Sequence, residues 1–356
     1  MARRDISIAN FNLLNLNLPG RPIYGGDGWT QAEYDAKIAF SERILDALDA
    51  DIVGFQECWD AEALAQVLDR PALRGRYDLV ARTTEPASIQ VALAVRKGML
   101  QSEPEWIEDL PPDARFVDLQ EARDARESVS VTIGRFSRPL LRVLVNKARG
   151  TPDVLVYVAH LKSKGPTTLR RDDDNPVLRE HAFIARSVVS HVRRMVEAGA
   201  FRAILDGAMA GNDRPVVVLG DLNDATTAVS TELLTGNPGY RFFAKSTAGQ
   251  KSDRGLYTVE KLQQLRSFRH VYYTYIFRNQ MESLDHILVS DSFYDHSAIR
   301  TWSFREMRVL NDHLTATEAE RSRLGYNDHG IIVARFDWNP MVEEARRILA
   351  PVEPQA

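Results

Sequence analysis

Short apolar runs, each closed by side chains that carry ligating oxygen or nitrogen, constrain this chain more than any other feature. Ile6–Phe11, Ile52–Phe55, Val91–Val95, Val129–Ile133, Leu140–Val145, Val154–Ala159, Val216–Leu219, Leu284–Val289 and Ile331–Phe336 are short and rich in Val and Ile. They read as strands. Tyr34–Leu48, with Ile38, Ile44, Leu45 and Leu48, has apolar residues near helical spacing, and so does Val177–Val196, with Phe183, Ile184, Val188, Val192 and Met195. Strands and helices alternate early in the chain, whereas from Tyr77 to Ala159 strands follow one another directly. That mixture predicts an α/β protein with mixed sheets, not a purely parallel doubly wound one.

Pro and Gly are scattered and no repeat or low-complexity linker interrupts the 356 residues. The organisation expected is one domain over 1–340 with long insertions, then a C-terminal helix and tail over 341–356 that frays from Pro351. The insertions are Leu13–Glu33, Gln101–Glu127, Ser163–Asn175, Ala225–Arg266 and Met307–Asn327, and loops of that length are usually functional or mobile. A net charge of −4 provides no general attraction to nucleic acid or anionic membranes, while leaving room for a local basic cleft. The lone Cys58 cannot form an intramolecular disulfide and fits a reducing compartment. Met1 to Asp5 lead straight into a strand with no secretion signal, and no apolar run approaches the roughly 20 residues of a membrane helix. A cytoplasmic monomer with no membrane span and no protein partner is the expectation.

Six strands then bring polar groups to one end. The first ends in Asn10-Phe11-Asn12; "DIVGFQE" ends in Gln56 and Glu57; "LVYVAHLKSKG" ends in His160, Lys162 and Lys164. "VVVLGDLNDA" ends in Asp221, Asn223 and Asp224; "SLDHILVS" begins with Asp285 and His286; "NDHG" places Asp328 and His329 before the last strand. If those ends share one rim, they make a metal-binding cleft. Carboxylates and amides without thiolates suit a hard cation, Mg²⁺ or Mn²⁺, and zinc would want more His or Cys. Such a cation beside two imidazoles and a lysine suits phosphoester hydrolysis, with a base to activate water and an acid for the leaving group.

In this order the six motifs resemble the endonuclease/exonuclease/phosphatase superfamily, the Mg²⁺-dependent fold of pancreatic deoxyribonuclease, from Ile6 to about Phe336. The resemblance implies a four-layered α/β sandwich: two mixed β-sheets face to face, flanked by helices. It implies Glu57 as the principal metal carboxylate, with Asn12 and Asp328 beside the metal and Asn10 in a structural place. Asn12, His160 and Asn223 are implied at the substrate phosphate, and Asp221 with Asn223 positions water and phosphate; Lys162 reads as a further phosphate contact, with a plain polar strand end as the alternative. His329 is implied as the general base oriented by Asp285, and His160 as the acid, with Asp221 the rival base. An Asp–His pair of this kind fixes the imidazole tautomer and stabilises the imidazolium. Leu14 stands where members acting on abasic DNA carry an acid, which weakens that reading. The glutamate that supports the histidine in pancreatic-type enzymes has no convincing counterpart; Glu85 lies near the right strand.

"AHLKSKG" and "YYTYIFRNQMESLDHILVS" are similar to the bacterial nuclease branch, so the expected activity is a divalent-metal-dependent phosphodiesterase cleaving DNA or RNA by in-line water attack. A small phosphoester, phospholipid head group or other organophosphate is the alternative substrate class, and a non-catalytic binding module the remaining one. Elsewhere ordinary roles are favoured. The Asp172-Asp173-Asp174 run reads as solvated, His181 and His191 as helix-face residues, and His286 as pointing away from Asp285 on an alternating strand. Cys58 shows no cue for reactivity. Tyr272, Tyr273, Tyr275 and Phe277 read as packing before base stacking.

Overall fold

The computed structural model describes residues 4–112, 133–167, 180–239, 255–267 and 272–341. Two six-stranded sheets carry the fold. The first has the order β13-β14-β1-β2-β4-β3 and the second β5-β6-β7-β8-β12-β9. Their strands are β1 (Ile6–Leu16), β2 (Ile52–Cys58), β3 (Tyr77–Val80), β4 (Gln90–Arg96), β5 (Glu105–Asp109), β6 (Arg135–Asn146) and β7 (Asp153–His160). In the rest of the chain come β8 (Val216–Asp221), β9 (Tyr257–Thr258), β12 (Asp285–Val289), β13 (Trp302–Leu310) and β14 (Ile331–Trp338). β10 (Tyr275–Phe277) and β11 (Gln280–Glu282) form a separate hairpin.

Each sheet has one parallel pair at its centre, β1 with β2 and β7 with β8, and antiparallel neighbours around it. A helix makes each parallel crossover: α1 (Gln31–Leu48) in the first sheet and α3 (Ala182–Met209) within the segment between β7 and β8. Shorter helices are α2 (Ala61–Leu68), α4 (Val229–Thr235), α5 (Val259–Arg266) and α6 (Glu318–Leu324). Thr30 opens α1 with a capping box: its side chain accepts from the Glu33 N–H, and Glu33 accepts from the Thr30 N–H.

The alternation of each strand explains the layers. Ile8, Ile52, Val91, Leu93 and Val95 of the first sheet meet Val143, Val156, Val158, Val217, Leu219 and Ile287 of the second. The opposite faces, with Ala9, Phe11, Val53 and Phe55 on one sheet and Tyr157, Val216, Val218 and Leu288 on the other, pack under helices. Central strands are therefore buried on both sides and read as unbroken apolar runs. The expected sandwich of two mixed sheets with flanking helices is the fold observed.

Several insertions hold regular structure. β5 lies within the 101–127 segment, α4, β9 and α5 within 225–266, and the end of β13 with α6 within 307–327. β13 escaped detection because a register shift between Phe304 and Glu306 breaks its alternation. α3 differs in the face it buries. Phe183, Ile184, Val188 and Met195 are exposed, while Ser190, Arg194, Glu197, Phe201 and Leu205 are buried. The helix spends its N-terminal half holding polar loops, so its inward face there is polar. The Val129–Ile133 run up to residue 132, the Asp172–Asp174 run, and the C-terminal helix beyond residue 341 lie outside the described residues. Among the described residues no helix is long and apolar enough to cross a membrane.

Gly54 marks a close approach of the sheets. A Cβ there would stand 2.8 Å from Leu219 Cβ and 3.3 Å from Asn10 Oδ1. Gly54→Ala is expected to cost about 1–3 kcal/mol, the range for overpacking a filled core, measured by urea denaturation. An unchanged midpoint would mean that the sheets separate easily at this point.

Candidate active site

The C-terminal ends of the four parallel strands open at one rim. β12 and β14 run the other way, so their starts arrive there. Registry makes half of the site a single rung: His160 pairs with Asp221 across β7 and β8, and Asp285 pairs with Asp221 across β12 and β8. Residues on one rung share a face. His329, just before β14, completes the group from the first sheet. Its Nδ1 lies 2.8 Å from Asp285 Oδ2, and its Nε2 lies 3.9 Å from Asp221 Oδ2. His160 Nε2 lies 3.6 Å from that same oxygen. One ligand atom from each of Asp221, Asp285 and His329 falls within 4.8 Å of the others, a group that can hold an ion.

The first sheet contributes amides and carboxylates. Asn12 Nδ2 donates to Asp221 Oδ2 at 3.2 Å and to Glu57 Oε1 at 3.3 Å, joining the two sheets. Asn10 and Gln56 exchange hydrogen bonds of 3.0 and 2.8 Å in the buried layer beneath. Regular alternation would send Gln56 and Glu57 to opposite faces. Instead β2 shifts register between Phe55 and Cys58, and Glu57 adopts φ 60°. That left-handed backbone, worth roughly 1–3 kcal/mol of strain, turns Glu57 back to the rim. Asn15, itself at φ 54°, holds it with an N–H donated to Glu57 Oε2 at 3.0 Å. Trp29 Nε1 donates to the Asn15 carbonyl and Trp59 Nε1 to the Asn15 side chain. Asn223 also sits at φ 56°; its N–H donates to Asp221 Oδ1 at 2.9 Å and its Nδ2 to the Leu161 carbonyl.

Electrostatics divides these groups. Burial and the nearby Asp328 push Glu57 up. Asp328 Oδ1 is buried without a hydrogen-bond partner. Two carboxylates that repel, one with an orphaned oxygen, fit a hard cation supplied from solution; Asn12 presents its Nδ2 amide there, while its Oδ1 accepts from the Leu14 N–H. Burial, with Asp285 and Glu57, raises Asp221 to about 7. Burial opposes charge on His329, but Asp285 and Asp221 reverse this and hold the ring well above its usual value. Burial, then Arg138 and His329, press His160 well below it, and its Nδ1 has no partner.

The remaining expected residues are placed as follows. Lys162 Nζ donates to Ser163 and to the Gly165 carbonyl, closing its own loop. Asn10 is fully buried in its amide pair. His286 points away from the rung and contacts the Asp224 carbonyl at 2.8 Å. Burial pushes the Cys58 thiol up to about 12. Tyr275 is neither simple packing nor free: its ring lies 4.9 Å from the His329 ring. Thr274 Oγ1 accepts from the N–H groups of Leu284 and Asp285, fixing the start of β12.

Several residues that build the rim had no sequence signal. Arg138 reaches the rim, donating to the Leu161 carbonyl at 3.1 Å. Arg194, fully buried on α3, donates to Asp224 Oδ2 at 2.9 Å and to the Lys162 carbonyl at 3.1 Å, tying the two loops of the second sheet together. Glu197, one turn on, accepts from the Ser137 and Lys162 N–H groups at 2.8 and 2.9 Å. Only the helix register could have flagged these two, as polar residues on the inward face.

Residues 11–309 match the Endonuclease/Exonuclease/phosphatase family. No curated protein matches the chain. Similar solved structures include an endonuclease/exonuclease/phosphatase family protein from Bacteroides thetaiotaomicron, 16% identical over 94% of this chain and 95% of that one, at a TM-score of 0.52. D. rerio TDP2 complexed with single strand DNA product is 14% identical over 94% and 99%, at 0.51. The human Nocturnin catalytic domain with bound sulfate anion is 15% identical over 95% and 96%, at 0.52. At these identities the likeness establishes the fold.

Glu197→Ala removes the acceptor of two backbone N–H groups, so it should cost about 3 kcal/mol, the upper range for stranding buried donors, read as a lowered urea midpoint. No change would mean that the Lys162 segment finds other acceptors.

Proposed function

The chain belongs to the endonuclease/exonuclease/phosphatase family, whose members hydrolyse phosphoester bonds, and from that premise we propose that it is a divalent-metal-dependent phosphodiesterase of nuclease type. The hydrogen-bonded Asp285–His329 pair beside Asp221, facing Glu57 and the orphaned Asp328 oxygen, carries this reading. Mg²⁺ or Mn²⁺ would be held by Glu57 and Asp328, and would neutralise charge on the phosphate and on the leaving oxygen. Asn12, expected beside the metal, instead donates its amide to Glu57, while its Oδ1 accepts from the Leu14 N–H. Nucleic acid is favoured as substrate because a structural neighbour, D. rerio TDP2, is bound to a single strand DNA product.

The roles of Asp221 and His329 are exchanged relative to the expectation from sequence. His329 contacts Asp285 at 2.8 Å and is held protonated, so it is a poor base. Its Nε2–H is placed to donate to a phosphate oxygen. Asp221 has one oxygen fixed by the Asn223 N–H and the other by Asn12, and sits near neutrality, where a general base is most effective. Asp221 takes the proton of the water that attacks in line with the leaving oxygen. His160, pressed well below its usual value, lies with Nε2 3.6 Å from Asp221 Oδ2 and has a single N–H to offer a phosphate oxygen; it lacks the extra proton an acid needs. Asn223 and Asn12 complete the phosphate contacts, with Arg138 in place of Lys162, whose ammonium serves its own loop.

The signs follow. Asp221 must be ionised, so rate rises as pH climbs through its pKa, about 7 without metal and lower with a cation bound. His329 must be protonated, so rate falls as pH climbs through its raised value. Asp221→Asn should lower kcat roughly 10²–10⁴-fold and abolish the rising limb. Asp285→Asn should move the falling limb to lower pH. A rising limb that survives in Asp221→Asn and disappears in His329→Ala would return the base to His329.

Plasmid DNA, single-stranded DNA, RNA, bis-p-nitrophenyl phosphate and a phosphomonoester form the substrate panel, each with Mg²⁺, Mn²⁺ or EDTA. Cutting of a polymer that EDTA stops and Mg²⁺ restores is the expected result. Turnover of small esters alone would keep the chemistry and replace the substrate class.

A further inference from the structure

Asp285 and His329 meet at 2.8 Å although they belong to different sheets, Asp285 at the start of β12 and His329 just before β14. Strand pairing does not join them, and the short stretch that leads into β10 does. Thr274, 1% exposed, reaches both. Its Oγ1 accepts from the N–H groups of Leu284 and Asp285 at 3.0 and 3.2 Å. Its carbonyl accepts from the Gly330 N–H at 2.7 Å. That N–H shares a peptide unit with the His329 carbonyl, which accepts from His313 Nε2 at 2.9 Å. The peptide unit that joins His329 to Gly330 is thus held at both of its polar atoms. His313 is buried, with its ring against Phe40 and Tyr326 at 5.3 and 5.8 Å between centroids, so this donor is itself fixed. The close approach needs the glycine: a Cβ on Gly330 would stand 3.2 Å from Thr274 Cα and 3.2 Å from Asn311 Cβ. Thr274 is anchored in turn, because its N–H donates to the Glu282 carbonyl at 2.9 Å and Asn311 Nδ2 donates to the preceding Tyr273 carbonyl at 3.0 Å. One residue therefore spans from the main chain of Asp285 to the main chain of His329.

We propose that Thr274 is a positioning residue for the Asp285–His329 pair: its hydroxyl sets the main chain of Asp285, its carbonyl sets the peptide unit that follows His329, and together they fix the contact between carboxylate and imidazole. The hydroxyl is the part that a substitution can remove. Valine keeps the volume and the branch at Cβ but offers no lone pair to either N–H. A buried N–H without an acceptor is costly, so the start of β12 shifts to find one. The Asp285 carboxylate moves with its main chain. The imidazole, held through the Thr274 carbonyl and His313, does not follow. The inference rests on the reading of Asp285 and His329 as a working pair of the active site.

The test has a kinetic and a spectroscopic arm. Thr274→Val should lower kcat on plasmid DNA with Mg²⁺ by up to about 10²-fold, the scale for a misplacement of roughly 1 Å, with KM little changed. Thr274→Ser keeps the hydroxyl and should restore kcat. In an Asp285→Asn background Thr274→Val should add no further loss, because it acts through Asp285. Independently of turnover, NMR of protein with isotope-labelled histidine follows the Nδ1 proton of His329, assigned by its loss in Asp285→Asn. In wild type and Thr274→Ser this proton should lie far downfield, as a proton shared with a carboxylate does, and in Thr274→Val it should move upfield. Thr274→Ala, which also lacks the hydroxyl, takes the place of Thr274→Val if the latter does not fold. A lowered urea midpoint with kcat and the downfield proton both at wild-type values would overturn the proposal and leave Thr274 a purely structural residue. An equal loss of kcat from Thr274→Val in the wild-type and Asp285→Asn backgrounds would overturn it too. If wild type turns over no member of the substrate panel, the functional reading fails, and the His329 proton alone decides the role of Thr274.

Discussion

Polar groups buried at the open end of an apolar sandwich must all find partners, and that constraint organises everything above it. Between the sheets the core is mainly aliphatic up to Gly54, where the layers approach closely. One step further out Asn10 and Gln56 satisfy each other across β1 and β2. The next step holds Asn12, whose amide spans to Asp221 in the other sheet. The sheets are thus registered against each other by hydrogen bonds that have no alternative partner in an apolar layer. The site inherits its precision from that registration.

Strain is spent at the same rim. Glu57 and Asn223 occupy left-handed backbone, and both do so where a regular strand end would aim a side chain elsewhere. Asn tolerates this conformation with a local hydrogen bond, as its N–H to Asp221 shows. Glutamate gains nothing locally, so Asn12, Asn15 and the two tryptophans behind Asn15 must hold it there. Strain of this kind persists only where the surroundings over-determine it, and it gathers at sites that do chemistry.

Charge is sorted with equal care. His160 and His329 face the same oxygen of Asp221, yet one ring is pushed well below its usual value and the other well above it. The difference lies behind them. His329 has Asp285 at its Nδ1, whereas His160 has burial and Arg138 and no partner for its Nδ1. Two identical side chains thereby sit in opposite electrostatic environments, a pattern that separates acid from base assignments.

Much of this was legible in the sequence. The apolar runs named the central strands, their polar ends named the rim, and ordered motifs named the residues that converge there. Those signals are local: alternation within a strand and the residue at its end survive in one dimension. What the tertiary structure alone decided is which groups face one another. Bulges in β1, β2 and β13 break the alternation that sequence reading relies on. Arg138, Arg194 and Glu197 carry no motif, because each bonds a partner distant in the chain. The proposed exchange of roles between Asp221 and His329 has the same origin. A pKa is set by burial and by neighbouring charge, and a linear sequence specifies neither until the two sheets close on each other.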